Sequence, residues 1–297
     1  MNGQKRKVAV IGALNVDIGG RPEAAFVPGD SIPGRVSTSL GGVGWNIARN
    51  CASLGADTGF FSVLGEDEHA SAIRRDAGDF GVDIGMCRWT AAPNNRYLYI
   101  SGREGDLAAA VNDMRLCDRM DGRFAREVCL PALDGFHAVA VDANLPPETL
   151  ALIAEHVKAP LTADCVSAVK CGRLRQILPR IHTLKANRME AEMLTGRIDP
   201  ADCVRALLDA GVTRAVISLG GEGALCGEGG RTILAPSAAL STPADTTGAG
   251  DSLTAALTVG LAWGLSLEEC AELGMRAAGI TLGERGAVTR KLRALAL

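Results

Sequence analysis

Aromatic side chains are scarce in this 297-residue chain, where Phe, Trp and Tyr together make up 4%. Hydrophobic residues nevertheless reach 47%, so the core must be built from Ala, Val, Leu and Ile, as in a sheet covered on both faces by helices. An excess of one charge is lacking too. The formal net charge is −3, with both signs mixed along the chain, which excludes the basic stripe of a nucleic-acid or membrane-surface binder. No run reaches the roughly 18 uninterrupted apolar residues that span a bilayer, and no apolar signal core follows the basic residues at the N-terminus. The nine cysteines form no Cys-x-x-Cys pair, and no His stands near them at zinc-ligand spacing. An odd, scattered set without a secretion signal points to reduced thiols and a cytoplasmic protein. P-loop NTPase and protein-kinase signatures are absent: there is no Gly-x4-Gly-Lys-Ser/Thr, His-Arg-Asp or Asp-Phe-Gly. After the first strand, Gly12-Ala-Leu-Asn-Val-Asp17 stands where a dinucleotide fingerprint would be. The four His suggest no catalytic triad.

What the chain does have is alternation. Short apolar runs at 8–12, 60–64, 138–141, 161–164, 182–185 and 215–219 read as strands. Helical spacing appears at 42–54, 68–80, 147–157, 172–178, 188–194, 200–210, 249–264 and 267–282. Repeated strand–helix alternation predicts a doubly wound, mainly parallel sheet in an α/β fold of three layers. Residues 96–101 and 107–111 are strand-like around a Gly-rich turn and read as antiparallel. The stretches 14–40 and 87–111 break the alternation and are expected to form a small β lid on one domain spanning 1–297.

The strongest chemical signal is Asp245-Thr-Thr-Gly-Ala-Gly-Asp-Ser252 ahead of an Ala/Leu-rich helix. Glycines before a helix let backbone N–H groups converge, and the helix dipole adds positive potential. That arrangement suits a phosphoryl group in transfer. Asp251 there can take a proton from an attacking hydroxyl as charge develops. An acidic residue in a first helical turn can also be no more than a favourable charge at the dipole; the flanking Asp-Thr-Thr argues for chemistry.

At this point the chain resembles a known family. Asp245–Asp251 is similar to the C-terminal signature of the PfkB (ribokinase-like) sugar and nucleoside kinases. Gly41-Gly-Val-Gly-Trp-Asn-Ile-Ala48 resembles their N-terminal signature, and Asn15-Val-Asp17 their early substrate motif. Asn187-Arg-Met-Glu190 and Ser218-Leu-Gly-Gly-Glu-Gly223 match their Asn-x-x-Glu motif and nucleotide loop, all in family order along the chain. The resemblance implies a ribokinase-like fold, ATP and Mg²⁺. It implies Asp251 as base and the N–H groups of Gly248, Ala249 and Gly250 as anion hole. Asn187 and Glu190 would organise Mg²⁺ and its waters, although on spacing alone they could be a solvated helix face. Ser218, Gly220, Gly223 and Thr246 would lie along ATP. Asn15, Asp17, Gly41, Gly42 and Asn46 would hold ribose hydroxyls, with Gly41-Gly42 as the lid hinge. Asp245 and Thr247 match the positions at which many members bind a monovalent cation such as K⁺.

Within that family, several stretches look closest to the members that act on pseudouridine. They are Asp30-Ser-Ile-Pro-Gly34, Val111-Asn-Asp-Met114, Asp164-Cys-Val-Ser-Ala-Val-Lys-Cys171 and 181–192, beside 41–50. The implied reaction moves the γ-phosphoryl of ATP to the 5′-hydroxyl of pseudouridine. Asp30, Ser31, Asn112, Asp113 and Lys170 are candidates for reading the base; Asn112-Asp113 could equally turn the chain, and Lys170 could be a solvated charge. Two departures stand out: Trp45 where a basic residue is expected, and Cys165 where Pro is expected. Other acceptors in the family, a sugar such as ribose or a nucleoside such as uridine or adenosine, remain open, as does a non-catalytic sensor on the same fold. Pairing through the lid to a homodimer is a further expectation, with no nucleic-acid or membrane partner.

Overall fold

A computed structural model describes the protein over residues 6–102, 107–238 and 247–297. Strand β1 (Lys7–Ile11) shows how a short apolar run builds three layers. Val8 and Val10 belong to the core that holds Trp45, Phe60 and Val259 on one side, while Ala9 and Ile11 belong to the core that holds Leu150 and Ile153 on the other. Because side chains alternate across a strand, one run seeds two cores.

Around β1 lie β4 (Asp57–Phe61), β6 (Val82–Asp83), β10 (Ala138–Asp142), β11 (Leu161–Asp164), β12 (Thr183–Asn187) and β13 (Arg214–Ser218). All pair in parallel, and β14 (Ala224–Glu228) with β15 (Arg231–Ala235) closes one edge antiparallel. The order is β15-β14-β13-β12-β11-β10-β1-β4-β6. The helices covering it are α1 (Val43–Ser53), α2 (Ala70–Phe80), α3 (Pro147–His156), α4 (Arg188–Thr195), α5 (Pro200–Asp209), α6 (Ala249–Trp263) and α7 (Leu267–Leu282). The expected 172–178 helix is instead 3₁₀ over Cys171–Arg180, with Pro179 inside it. Among the described residues no helix is long and apolar enough to cross a membrane.

A second sheet has the order β3-β2-β8-β9, made of β2 (Asn15–Pro22), β3 (Gly34–Gly41), β8 (Asn95–Ser101) and β9 (Leu107–Asp113). The expected antiparallel pairing of 96–101 with 107–111 is present, and residues 103–106 of their turn lie outside the described residues. Residues 87–94 do not join this sheet. There β7 (Arg88–Thr90) pairs with β5 (Val63–Gly65) in a separate two-stranded ladder, so the sheet is narrower than the 87–111 expectation. Paired residues share a face, which gives the small sheet two unlike sides. One carries Asp17, Tyr97 and Asn112 in a single row. The other carries Val36, Leu98 and Val111, exposed at 76%, 48% and 68%.

Candidate active site

The parallel strands β10, β11, β12 and β13 end in Asp142, Asp164, Asn187 and Ser218. Ligands of open α/β sheets bind at this carboxyl edge. The N-terminus of α6 is aimed at the same edge. Gly248 caps that helix at φ 80°, and an added Cβ would stand 2.3 Å from the Ala287 backbone. Only glycine meets both demands. Thr247 precedes it in the turn; Asp245 and Thr246 lie outside the described residues.

Asp251 sits in the first turn of α6, where its Oδ2 accepts from Asn46 Nδ2 at 2.7 Å. Two further contacts fix that turn. Asn50 Nδ2 donates to Ser252 Oγ at 3.1 Å, and Thr254 Oγ1 donates to Asp164 Oδ2 at 2.6 Å. Burial and then the Asp164 charge push Asp251 up to about 7, against the Asn46 hydrogen bond and the Lys185 charge, with Asp142 adding to the rise. A carboxylate so placed can exchange a proton near neutral pH.

Lys185 was missed by motif reading, because a lone Lys in a strand carries no signal. Its Nζ lies 3.4 Å from Asp164 Oδ2 and would be 2.8 Å from a Cβ added to Gly250. Its ammonium therefore underlies the first turn of α6. Burial opposes that charge, but the carboxylates of Asp164, Glu190 and Asp251 outweigh it and raise the pKa above the ordinary lysine value. A fixed cation adds to the N–H groups of Ala249 and Gly250 in favouring an anion there.

Asn187 and Glu190 form a reciprocal cap on α4. Asn187 Oδ1 accepts from Glu190 N–H at 2.9 Å, and Glu190 Oε2 accepts from Asn187 N–H at 2.8 Å. Glu190 is thus buried and not on a solvated face. Burial raises its pKa, partly offset by Lys185. Asn187 pairs with Ser218 across β12 and β13, and the one-turn Gly220–Glu222 helix follows. Gly223 closes that loop at φ 103°, where a Cβ would lie 2.1 Å from the Ala235 carbonyl.

On the other side of Asp251, Asn15 donates to Asp17 Oδ1. Gly41 pairs with Asn15, and a Cβ on it would fall 2.1 Å from Asp17 Oδ2; glycine leaves that carboxylate room. Gly42, at φ 99°, hands the chain from β3 into α1. Burial pushes Asp17 up to about 6, against the Asn15 hydrogen bond and the Arg49 charge. Asn15, Asp17, Gly41, Gly42 and Asn46 therefore meet near Asp251.

Asn112, Asp113 and Lys170 line one cleft of about 460 Å³ together with Asn144 and Arg173. Lys170 Nζ donates to Asn144 Oδ1 at 2.5 Å, and Asp113 is bound by Arg115, which holds it down at about 2. Neighbouring strands lie about 4.8 Å apart, so the Asp17–Tyr97–Asn112 row spans about 10 Å. Tyr97 stacks on Tyr99 with 5.5 Å between ring centroids. Gly19 makes room for Tyr99, whose ring would be 2.6 Å from a Cβ there. These tyrosines escaped motif reading, since alternation alone does not say which face of a strand meets the site.

Asp30 and Ser31 are not brought to this place within the chain. They form an exposed turn in which Asp30 Oδ1 accepts from Ser31 N–H at 2.7 Å. That turn lies beyond Pro22, roughly 17 Å along β2 from Asp17 at about 3.4 Å per residue. Trp45 is wholly buried against Phe60 and donates from Nε1 to Asp76 Oδ2 at 2.9 Å. Cys165 is also buried, followed by Val166 at φ 64°.

The pattern that defines the pfkB family carbohydrate kinases matches residues 5–293. Pseudouridine kinase from Escherichia coli is 32% identical over 266 residues, covering 86% of this chain and 83% of that protein. Guanosine-inosine kinase from Exiguobacterium acetylicum is 29% identical, covering 97% and 99%. Among solved structures, Arabidopsis thaliana ribokinase complexed with ribose and ATP superposes with a TM-score of 0.86 at 25% identity, covering 98% of each chain. With its three-layer core, its small second sheet and motifs in order from Asn15 to Asp251, the chain belongs to the pfkB family of sugar and nucleoside kinases, on a ribokinase-like fold.

Proposed function

We propose that the protein phosphorylates the 5′-hydroxyl of pseudouridine with ATP, giving pseudouridine 5′-phosphate and ADP. The family transfers phosphoryl groups to alcohol acceptors, and the Asp17–Tyr97–Asn112 row carries the choice of acceptor. Asp17 accepts from the two vicinal ribose hydroxyls. The row then leads past a tyrosine face to a polar cleft, which a free sugar would leave unfilled. Asn112, Lys170 and Asn144 supply donors and acceptors for a uracil edge. The 32% identity to pseudouridine kinase supports the same acceptor.

In this reading the 5′-oxygen attacks the γ-phosphorus, Asp251 takes the hydroxyl proton, and the bond to the ADP oxygen breaks. The N–H groups of Gly248, Ala249 and Gly250, with Lys185 beneath, stabilise charge on the transferred group. Ser218, Gly220 and Gly223 border the nucleotide. Among the described residues no group of three or more His, Cys, Asp or Glu could hold a metal. Mg²⁺ would arrive on the nucleotide phosphates, with Glu190 contributing through water because Oε2 is committed to the cap. It would supply charge neutralisation on the phosphates. K⁺ would fall to Thr247 and Asp245. The small sheet, hinged at Gly41-Gly42, would close over the acceptor and exclude water that could otherwise take the phosphoryl group.

Because Asp251 must be ionised to act, kcat/KM for the acceptor should rise with pH through about 7 and then level. A profile flat from pH 6 to 9 would contradict this role. The apolar side of the small sheet, with Val36, Leu98 and Val111, fits a second copy of the chain. Light scattering should return a dimer, and a monomer at assay concentration would remove that expectation. The acceptor itself is tested by kcat/KM for pseudouridine, uridine, adenosine and ribose with ATP and Mg²⁺. Pseudouridine should lead by about 10²-fold or more over ribose; preference for ribose would overturn the nucleoside reading.

A further inference from the structure

Arg49 is 7% exposed and reaches three partners in three directions. Its Nη2 donates to the Leu40 carbonyl at 2.9 Å and to Asn46 Oδ1 at 2.7 Å, while Nη1 meets Asp76 Oδ2 at 3.1 Å. Asp76, on α2, also accepts from Trp45 Nε1, and Arg49 lies over the rings of Trp45 and Phe80. Leu40 is the residue before the Gly41-Gly42 pair. Asn46 is the residue whose opposite end, Nδ2, touches Asp251. A primary amide has two ends that differ only in what they offer. With Oδ1 taken by a guanidinium, only Nδ2 can face the carboxylate. We propose that Arg49, anchored by Asp76, is a positioning residue that fixes the Asn46 amide on the base and ties it to the hinge carbonyl.

This role for Arg49 rests on Asp251 being the base of the proposed reaction. Without Arg49, the Asn46 amide is free to turn its oxygen toward Asp251, where two acceptors would repel. The carboxylate would leave the place from which it reaches the acceptor hydroxyl. The groups facing Asp251 are Asn46 and Arg49 from α1, Asp142 from β10, Asp164 from β11 and Lys185 from β12. Two of them, Asn46 and Lys185, favour its ionised form, and the Arg49 charge attracts it as well. Loss of Arg49 should therefore move the acid limb of kcat/KM to higher pH, which a purely structural role would not do. Lysine does not reproduce the fork, because its single nitrogen cannot stand both at the Nη1 position facing Asp76 and at the Nη2 position facing Leu40 and Asn46.

The test is a double-mutant cycle of Arg49→Gln and Asn46→Ala, assayed with the acceptor that the panel ranks first. Each single variant should lose about 10- to 100-fold in kcat, with KM for ATP within about twofold. The double variant should fall no more than about threefold below the weaker single, because Arg49 acts through Asn46. Losses that multiply, or an unmoved acid limb in Arg49→Gln, would overturn the proposal. If Arg49→Gln does not fold, Asp76→Asn carries the same cycle from outside the site; because Arg49 keeps its charge there, the non-multiplying loss of kcat supports the proposal and losses that multiply overturn it. Asp251→Asn belongs in the same assay. Near wild-type turnover there would overturn the base reading and this proposal together, whereas multiplied losses with an inactive Asp251→Asn would overturn this proposal alone.

Discussion

Asp251→Asn should abolish phosphoryl transfer, lowering kcat by about 10³-fold or more while leaving KM for ATP and acceptor within about threefold. Asparagine keeps an oxygen to accept from Asn46 Nδ2 but cannot take the hydroxyl proton. The same substitution should stabilise the protein at pH 8. Folded Asp251 holds its proton up to about 7, whereas an unfolded Asp releases it near 3.8. The folded state thus binds the extra proton, and the stability it confers is lost as pH rises from about 4 through 7. Removing the charge should recover part of that loss, up to about 4 kcal/mol. A variant that is dead and melts higher at pH 8 than at pH 5, relative to wild type, separates lost chemistry from lost fold. A dead variant that melts lower at both pH values would point to a structural Asp251.

Asp17→Ala should act on the acceptor alone. A carboxylate accepting from two ribose hydroxyls makes two charge-assisted hydrogen bonds of about 1.5–3 kcal/mol each. Losing both should lower kcat/KM for the nucleoside by about 10²-fold or more, with KM for ATP unchanged. Equal losses toward ATP and nucleoside would mean that Asp17 supports the fold instead. Its burial also predicts that kcat/KM falls more steeply than kcat below about pH 6, since Asp17 then gains a proton in the free enzyme.

How far the sequence could be read differs from element to element. The helix expected over 267–282 is present at Leu267–Leu282, and the structure adds its start signal: Ser266 caps it and Glu269 completes the capping box. The parallel strands were legible because they are short apolar runs between helical patterns. The β5–β7 ladder was not. Its strands are three residues long, too short for any period, and only their pairing reveals them. Within the site, motifs named Asn46 and Asp251 separately, but their 2.7 Å contact joins residues 205 positions apart. Lys185, Arg49 with Asp76, and the Tyr97–Tyr99 face were hidden for the same reason. Each is ordinary in its own segment and matters only through what the fold sets beside it. Asp30 and Ser31 show the converse, a stretch singled out by family resemblance that sits on the exposed turn between β2 and β3.

The account stands on a nucleoside, rather than a free sugar, filling the space between Asp17 and the cleft at Asn112 and Lys170. The most direct measurement offers the enzyme equal concentrations of pseudouridine and ribose with limiting ATP and Mg²⁺, and identifies the phosphorylated product by mass. Pseudouridine 5′-phosphate should account for nearly all of the ATP consumed. Ribose phosphate as the main product would contradict the account.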